Sequence, residues 1–134
     1  VYILGSGTTT RTITDLLDEK KTLLGIDLLV NKKIIAKDVN ENQILEAITG
    51  KKSRIIVTPI GGQGFIFGRG NQQISPTVIQ EVGLKNLTVI ATKHKLRSLK
   101  NLRVDTGNST LDDKLRGYMS VIVDYREKHM MNVK

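Results

Sequence analysis

The sequence predicts an α/β domain with a mostly parallel sheet, helices on both faces and one hairpin. Short apolar runs alternate with segments of helical periodicity along the whole chain. Single helical segments separate most of the apolar runs, which is typical of parallel strands joined by crossovers. Runs such as residues 55–57 and 121–123 are β-branched with little polar alternation, as expected for strands covered on both faces. A chain of 134 residues can bury one such core.

Each element follows from a local signal. The predicted strands are residues 1–4, 23–30, 34–36, 54–58, 87–91, 102–104 and 119–123, and residues 31–33 form the tight turn of the hairpin. The predicted helices are residues 8–17, 41–49, 76–82, 94–99 and 111–116. Asn40 and Ser75 are plausible N-caps, Pro76 suits the first helical position, and Gly50 and Gly83 end their helices. Residues 1–125 then form a single domain, and residues 126–134 form a frayed basic tail.

The charge balance indicates an anionic ligand. The chain has 21 Lys and Arg against 13 Asp and Glu, a formal charge of +8. The stretch 93–103 contains five of these cations without an acid. Such a field attracts nucleotides, sugar phosphates or nucleic acid, and a solvated basic face is the alternative. Because aromatic residues make up only 4% of the chain, a stacking platform for single-stranded nucleic acid is disfavoured.

The composition argues against several other classes of protein. The chain lacks cysteine, which excludes disulfides, thiolate metal sites and a cysteine nucleophile. It contains no apolar run long enough to span a membrane and no signal peptide, so we expect a cytoplasmic protein with no membrane partner. It opens inside an apolar run without a methionine, which suggests a piece of a longer protein. His94 and His129 lack partners at metal-ligand spacing, so no metal site is predicted.

The turn after the first strand is a candidate phosphate-binding loop. Its glycines allow close approach of backbone, the following helix begins with free N–H groups, and its hydroxyls and guanidinium can donate. The candidate residues are Gly5, Ser6, Gly7, Thr8, Thr9, Thr10 and Arg11. Thr10 stands where a dinucleotide fingerprint has its third glycine, and Asp27 lies where that fingerprint places its acidic residue. A plain strand–helix turn is the alternative.

A second candidate is the glycine-rich segment 58–73. Five glycines within ten residues cost conformational entropy that a purely structural connection would avoid. Polar side chains follow that could contact a base, a carboxamide or a sugar. The candidates are Gly61, Gly62, Gln63, Gly64, Arg69, Asn71 and Gln72. The alternative is a long hairpin covered by Phe65 and Phe67.

Asp105, after the strand at 102–104, is a third candidate. A carboxylate at a strand end could accept from a hydroxyl, position Mg²⁺ or act as a base. An Asx-type turn explains Asp105-Thr106-Gly107 equally well.

These motifs together resemble a known family. The blocks at residues 4–11, 21–27, 56–65, 68–76, 102–107 and 117–118 are similar to the C-terminal part of ATP-NAD kinase family proteins, in the acetoin-catabolism protein X-like branch. The resemblance implies a kinase, a transferase that passes a phosphoryl group from ATP to NAD to give NADP, with Mg²⁺. It also implies an N-terminal kinase domain in the same protein, which carries the family's Gly-Gly-Asp-Gly-Thr motif. Residues 61–65 look like that motif, but Gln63 replaces the acid, so no catalytic residue is assigned and the chain alone should be inactive.

A second likeness keeps another function open. The turn Gly5–Thr9 is similar to the phosphate loop of DeoR-type sugar-phosphate sensors and ribose-phosphate-isomerase-like folds, which makes a sensing module without catalysis the alternative. A Rossmann-like or ribose-phosphate-isomerase-like sheet agrees with the order of elements. The kinase resemblance implies a β-rich domain, whereas the periodicity favours five helices, and we follow the periodicity. A homodimer stays open.

Overall fold

The computed structural model describes residues 1–134 and contains nine strands and five helices. The strands are β1 Tyr2–Leu4, β2 Asp27–Val30, β3 Lys33–Ala36, β4 Arg54–Val57, β5 Phe65–Phe67, β6 Leu87–Ile90, β7 Arg103–Val104, β8 Gly117–Asp124 and β9 Glu127–Val133. The helices are α1 Thr8–Leu16, α2 Glu41–Ile48, α3 Pro76–Val82, α4 Lys93–Arg97 and α5 Ser109–Leu115. All five predicted helices are present within two residues of their expected bounds.

The main sheet is mixed. Seven strands lie in the order β3-β2-β1-β4-β6-β8-β9. The four central strands β1, β4, β6 and β8 are parallel, whereas β2, β3 and β9 pair antiparallel with their neighbours. The α/β class is therefore confirmed. The expectation of one hairpin is wrong, because β8 and β9 form a second hairpin beside the predicted one at β2–β3.

The predicted frayed tail is a strand. Residues of β9 pair with β8 from Gly117 opposite Val133 to Asp124 opposite Glu127. Arg126 turns the chain with a φ of 57°, and Val133 is almost fully buried. The segment Lys-His-Met-Met has few β-branched residues, so its own sequence gives a weak strand signal. Pairing with a long neighbouring strand supplies the stabilisation that local propensity lacks.

The glycine-rich segment contains a strand of a second, small sheet. β5 pairs parallel with β7, and the outer edge of β7 pairs with the end of β9 through a bridge between Leu102 and Val133. The N–H of Lys134 donates to the Leu102 carbonyl at 2.8 Å. The strand predicted at residues 102–104 is therefore real, but it joins this small sheet and the end of β9 rather than the central parallel strands.

The two faces of the main sheet differ in cover. Buried residues of α2, α3, α4 and α5 share one core cluster with Ile3, Ile55, Val89 and Val121, which lie on one face. On the opposite face, Leu4 of β1 and Leu29 of β2 are buried. Ile122 on that opposite face is 37% exposed. Equal cover on both faces, as the apolar runs suggested, is not what the burial pattern shows.

Helix caps follow the local signals. Asn40 forms a capping box with Gln43, in which each backbone N–H donates to the other residue's side-chain oxygen at 2.9 Å. The hydroxyl of Ser75 accepts from the N–H of Val78 at 3.3 Å, and Pro76 occupies the first helical position. The predicted strand 23–30 begins only at Asp27, since residues 23 and 24 lie exposed in the preceding loop. No helix of the protein is long and apolar enough to cross a bilayer.

Candidate functional site

A cleft of about 430 Å³ lies at the carboxyl ends of three neighbouring parallel strands. The loops that leave β1, β4 and β6 form its walls, which is where ligands gather in parallel sheets. The lining residues are Ser6, Gly7, Thr8, Thr9, Leu23, Leu24, Thr58, Pro59, Ile60, Gly61, Thr92, His94 and Lys95. Two of the predicted segments therefore meet here, together with a third loop that the sequence did not single out.

The start of α1 opens into this cleft without a cap. Gly7 is the N-cap residue, with a φ of 118°, and no side chain bonds to the first helical N–H groups. A β-carbon at Gly7 would lie 2.9 Å from Cγ2 of Thr58, so the close approach of the two loops requires glycine. The exposed helix start carries partial positive charge and unpaired donors. Thr8 and Thr9 add hydroxyl groups at the same mouth.

Part of the first loop is used internally instead. The Thr10 hydroxyl is fully buried and donates to the carbonyls of Gly5 and Gly7 at 2.7 and 3.0 Å. The N–H of Gly5 donates to Ile56 at 2.8 Å, and the Ser6 hydroxyl donates to Gly70 at 3.1 Å. Arg11 is exposed on the next turn and is not among the lining residues. These contacts fix the shape of the loop and leave Ser6–Thr9 at the cleft.

The opposite wall is basic. Lys95 donates from Nζ to the Gly61 carbonyl at 2.9 Å, which ties α4 to the turn after β4, and His94 lies beside it. Every carboxylate of the chain lies outside the lining of this cleft. An uncapped helix start facing the ammonium group of Lys95 suits an anion. A step that needs a carboxylate base must obtain it from outside this cleft.

The glycine-rich segment divides into two parts. Gly61 and Gly62 have open space where a side chain would stand, whereas Gly64 and Gly68 lie against the backbone of residues 101 and 105. Gly64 and Gly68 therefore have a packing role in the small sheet, and the segment pairs in parallel with β7 instead of forming the long hairpin of the alternative. Asn71 is fully buried, and its amide donates to the Ile66 carbonyl at 2.9 Å and accepts from the N–H of Gly68 at 3.2 Å. That side chain holds the segment together.

The remaining predicted site residues lie away from the cleft. Arg69 stacks on Phe65, 4.6 Å from the ring centroid, and its Nε lies 3.8 Å from Oδ2 of the exposed Asp105. Gln72 is exposed. Gln63 and Gly62 line a separate shallow depression with Lys100 and other residues after α4. The structure therefore does not bring these residues together with Ser6–Thr9.

Asp27, which lies where the dinucleotide fingerprint places its acidic residue, is bonded by its own loop. The carboxylate is fully buried and accepts from the N–H and hydroxyl of Thr22, at 2.8 and 2.6 Å, and from the N–H of Asp38 at 2.9 Å. Lys21 beside it donates to the carbonyls of Thr22 and Gly25. Burial lowers the pKa of Lys21, and the charges of Asp27 and Asp38 oppose that shift.

Sequence reasoning missed the contribution of the loop after β6. Thr92, His94 and Lys95 line the cleft, yet in the sequence Lys95 appears only as part of a basic stretch, His94 is considered only as a metal ligand, and Thr92 carries no signal. The available signal was the strand-end rule, which applies to every strand of a parallel sheet. It could not be used for β6 without knowing that β6 lies beside β4.

Comparison with known families gives one match. The model of the ATP-NAD kinase C-terminal domain matches residues 13–133, nearly the whole chain. This chain belongs to the ATP-NAD kinase C-terminal domain family. Comparisons with curated proteins and with solved structures find no significant match.

Membership of the kinase family implies ATP and NAD as substrates and an N-terminal kinase domain as a partner in the same protein. Mg²⁺ prefers carboxylate and phosphate oxygens. The cleft offers hydroxyls, backbone groups and cations, and no three His, Asp or Glu side chains in the chain come together as a metal-binding group. The residues of this chain therefore do not by themselves fit a Mg²⁺ site.

Proposed function

We propose that this chain is the nucleotide-contacting domain of an ATP-dependent NAD kinase, and that its cleft holds phosphate groups. The single observation that carries the proposal is the convergence of an uncapped helix start with basic side chains at the ends of parallel strands. We assign the phosphate contacts to Ser6, Gly7, Thr8 and Thr9 on one wall. Gly61 and Lys95 form the other wall.

The groups that line the two walls of the cleft suit phosphoryl transfer. Transfer depends mainly on positioning and on neutralising charge around the phosphoryl oxygens. Backbone N–H groups and an ammonium group do this without taking a proton. With no carboxylate in the lining, we propose that the carboxylate base comes from the N-terminal kinase domain and that this chain alone does not turn over substrate.

The rim of the cleft suits contact with that domain or with a nucleotide base. Leu24 is 80% exposed and Leu23 is 40% exposed, both beside the polar walls. When an aromatic ring or another domain covers exposed leucines at a ligand cleft, the burial of their apolar surface is favourable. The motif blocks at residues 56–65 and 68–76 support placing the protein in the acetoin-catabolism protein X-like branch.

The second candidate function is a sugar-phosphate or nucleotide sensor without catalysis. Its support is the same cleft, whose lining suits an anion and contains no carboxylate. A ribose-phosphate-isomerase-like arrangement of the sheet would agree with this use of the loop after β1. The two functions differ in the ligand that the cleft prefers.

Calorimetry with NAD, ATP and ribose 5-phosphate on the whole chain separates these proposals. Binding of ATP or NAD that weakens about fivefold to tenfold in Lys95→Met supports the nucleotide domain, since losing one charge at a partly exposed site costs about 1 kcal/mol. Lys37→Met, an exposed lysine on the far edge of the sheet, is the matched control and should bind normally. Binding of ribose 5-phosphate alone favours the sensor, and silence toward all three ligands contradicts both.

A further inference from the structure

A second cleft, of about 500 Å³, lies between α4 and the free edge of β9. Its lining residues are Lys93, Leu96, Arg97, Lys128, His129, Met130 and Met131. We propose that this β9 groove binds an extended acidic segment of a partner protein, which adds to β9 as a further strand. This inference does not depend on the nucleotide cleft.

The edge of β9 has main-chain groups available for such a strand. β9 is the last strand of the main sheet, so only one side of it pairs with β8. The Asn132 carbonyl accepts from the N–H of Leu102 on the outer side, at 2.9 Å. Because outward peptide groups alternate along a strand, Lys128 and Met130 also point theirs outward. The small sheet covers the edge only at residues 132–134, which leaves this stretch open.

The charges of the groove select the partner's chemistry. Lys93, Arg97 and His129 lie on the side of β9 that faces α4, and Lys128 lies on the other side. Two acids lie nearby: Glu127, whose carboxylate accepts from Lys93 at 2.6 Å, and Asp124, whose charge also acts on Lys93. This hydrogen bond raises the pKa of Lys93, so the ammonium stays charged. A carboxylate on an incoming strand would therefore meet cations on the α4 side.

A second copy of this chain is a poorer occupant. Two β9 strands paired edge to edge would bring Lys128 of one copy close to Lys128 of the other. Like charges facing each other across a sheet are destabilising. An extended acidic peptide instead satisfies the outward peptide groups, and its apolar residues can contact Met130, which is 62% exposed.

The test uses fluorescence anisotropy with a labelled seven-residue peptide of alternating Glu and Val and the whole 134-residue chain. Specific binding should weaken at least about tenfold when alternate peptide nitrogens are methylated, because methylation removes the donors that a ladder needs. It should weaken about tenfold in Met130→Pro, which removes an outward N–H that β8 does not use. Arg97→Glu should weaken binding by a similar factor and leaves the backbone of β9 unchanged. Lys37→Glu is the charge-matched control.

The binding measurements either support or overturn strand addition. Loss of binding on methylation and in Arg97→Glu, with Lys37→Glu unchanged, supports strand addition in the groove. Equal binding of the methylated peptide, equal loss in Lys37→Glu, or preference for a Lys-Val peptide overturns it. Binding of a single-stranded oligonucleotide in place of the acidic peptide also overturns it. Should Met130→Pro fail to fold, Arg97→Glu and the methylated peptide still decide.

Discussion

Replacing Gly68 by alanine tests how the small sheet is built. Gly68 has a φ of 99°, and a β-carbon there would lie 1.8 Å from the Asp105 carbonyl oxygen. Gly107 provides a matched control, because its φ is 87° and nothing lies within 4 Å of the same position. Gly107→Ala therefore carries the backbone strain alone, about 1–2 kcal/mol.

The cost of Gly68→Ala should exceed that of the control. The backbone of residue 105 must move by more than about 1 Å to reach ordinary contact, which breaks the hydrogen bond from the Asp105 N–H to Phe67, now 3.1 Å. One lost hydrogen bond costs about 1 kcal/mol, and loosened packing of the fully buried Phe67 adds about 1–3 kcal/mol. We expect a total loss of about 4 kcal/mol.

Urea unfolding followed by circular dichroism measures both variants. We expect Gly68→Ala to lower the free energy of unfolding by at least about 2 kcal/mol more than Gly107→Ala. A difference below about 0.5 kcal/mol would refute the close approach of β5 and β7. Since the Ser6 hydroxyl bonds to Gly70, two residues away, weaker ligand binding by Gly68→Ala is the expected second effect.

Three further predictions concern stability. Burial lowers the pKa of Lys21 below its ordinary 10.5, so the unfolded chain holds that proton to a higher pH. The free energy of unfolding should thus rise with pH between the lowered value and 10.5, and Lys21→Met should flatten that rise in urea titrations at several pH values. Asn40→Ala removes the capping box of α2 and should cost about 1–2 kcal/mol, whereas Asn42→Ala on the exposed surface of that helix should cost almost nothing. Val133→Ala should cost about 1–2 kcal/mol although residues 126–134 resemble a tail in sequence, and an unchanged thermal midpoint would contradict the buried place of β9.

Much of the fold could be predicted from residues that are neighbours in the sequence. Asn40 and Ser75 cap their helices because a short polar side chain reaches the first N–H groups, and that geometry needs no distant residue. The β-branched run at β4 likewise predicts a strand by itself. The parallel centre of the sheet follows from the alternation of strands and helices.

Signals that depend on distant residues were missed or misjudged. β9 is a strand because β8 lies beside it, and the sequence of residues 127–133 cannot show that partner. Asn71 looks like a ligand-binding amide, yet its partners are the backbone of its own loop. Lys95 appears as one cation of a basic stretch, and only the strand order places it against Gly61. The local sequence around such a side chain is the same whether the side chain contacts a ligand or the backbone of its own protein. The sequence alone therefore cannot distinguish the two roles.

The pairing of residues 132–134 with β7 has a consequence for how the protein is made. The Leu102 N–H donates to Asn132, the Lys134 N–H donates to Leu102, and the Val104 N–H donates to Lys134. A growing polypeptide cannot pair β9 with β8, or connect β9 to Leu102, before residues 127–134 have been synthesised. The main sheet is therefore completed only after translation of this segment, and until then the edge of β8 that β9 covers stays unpaired.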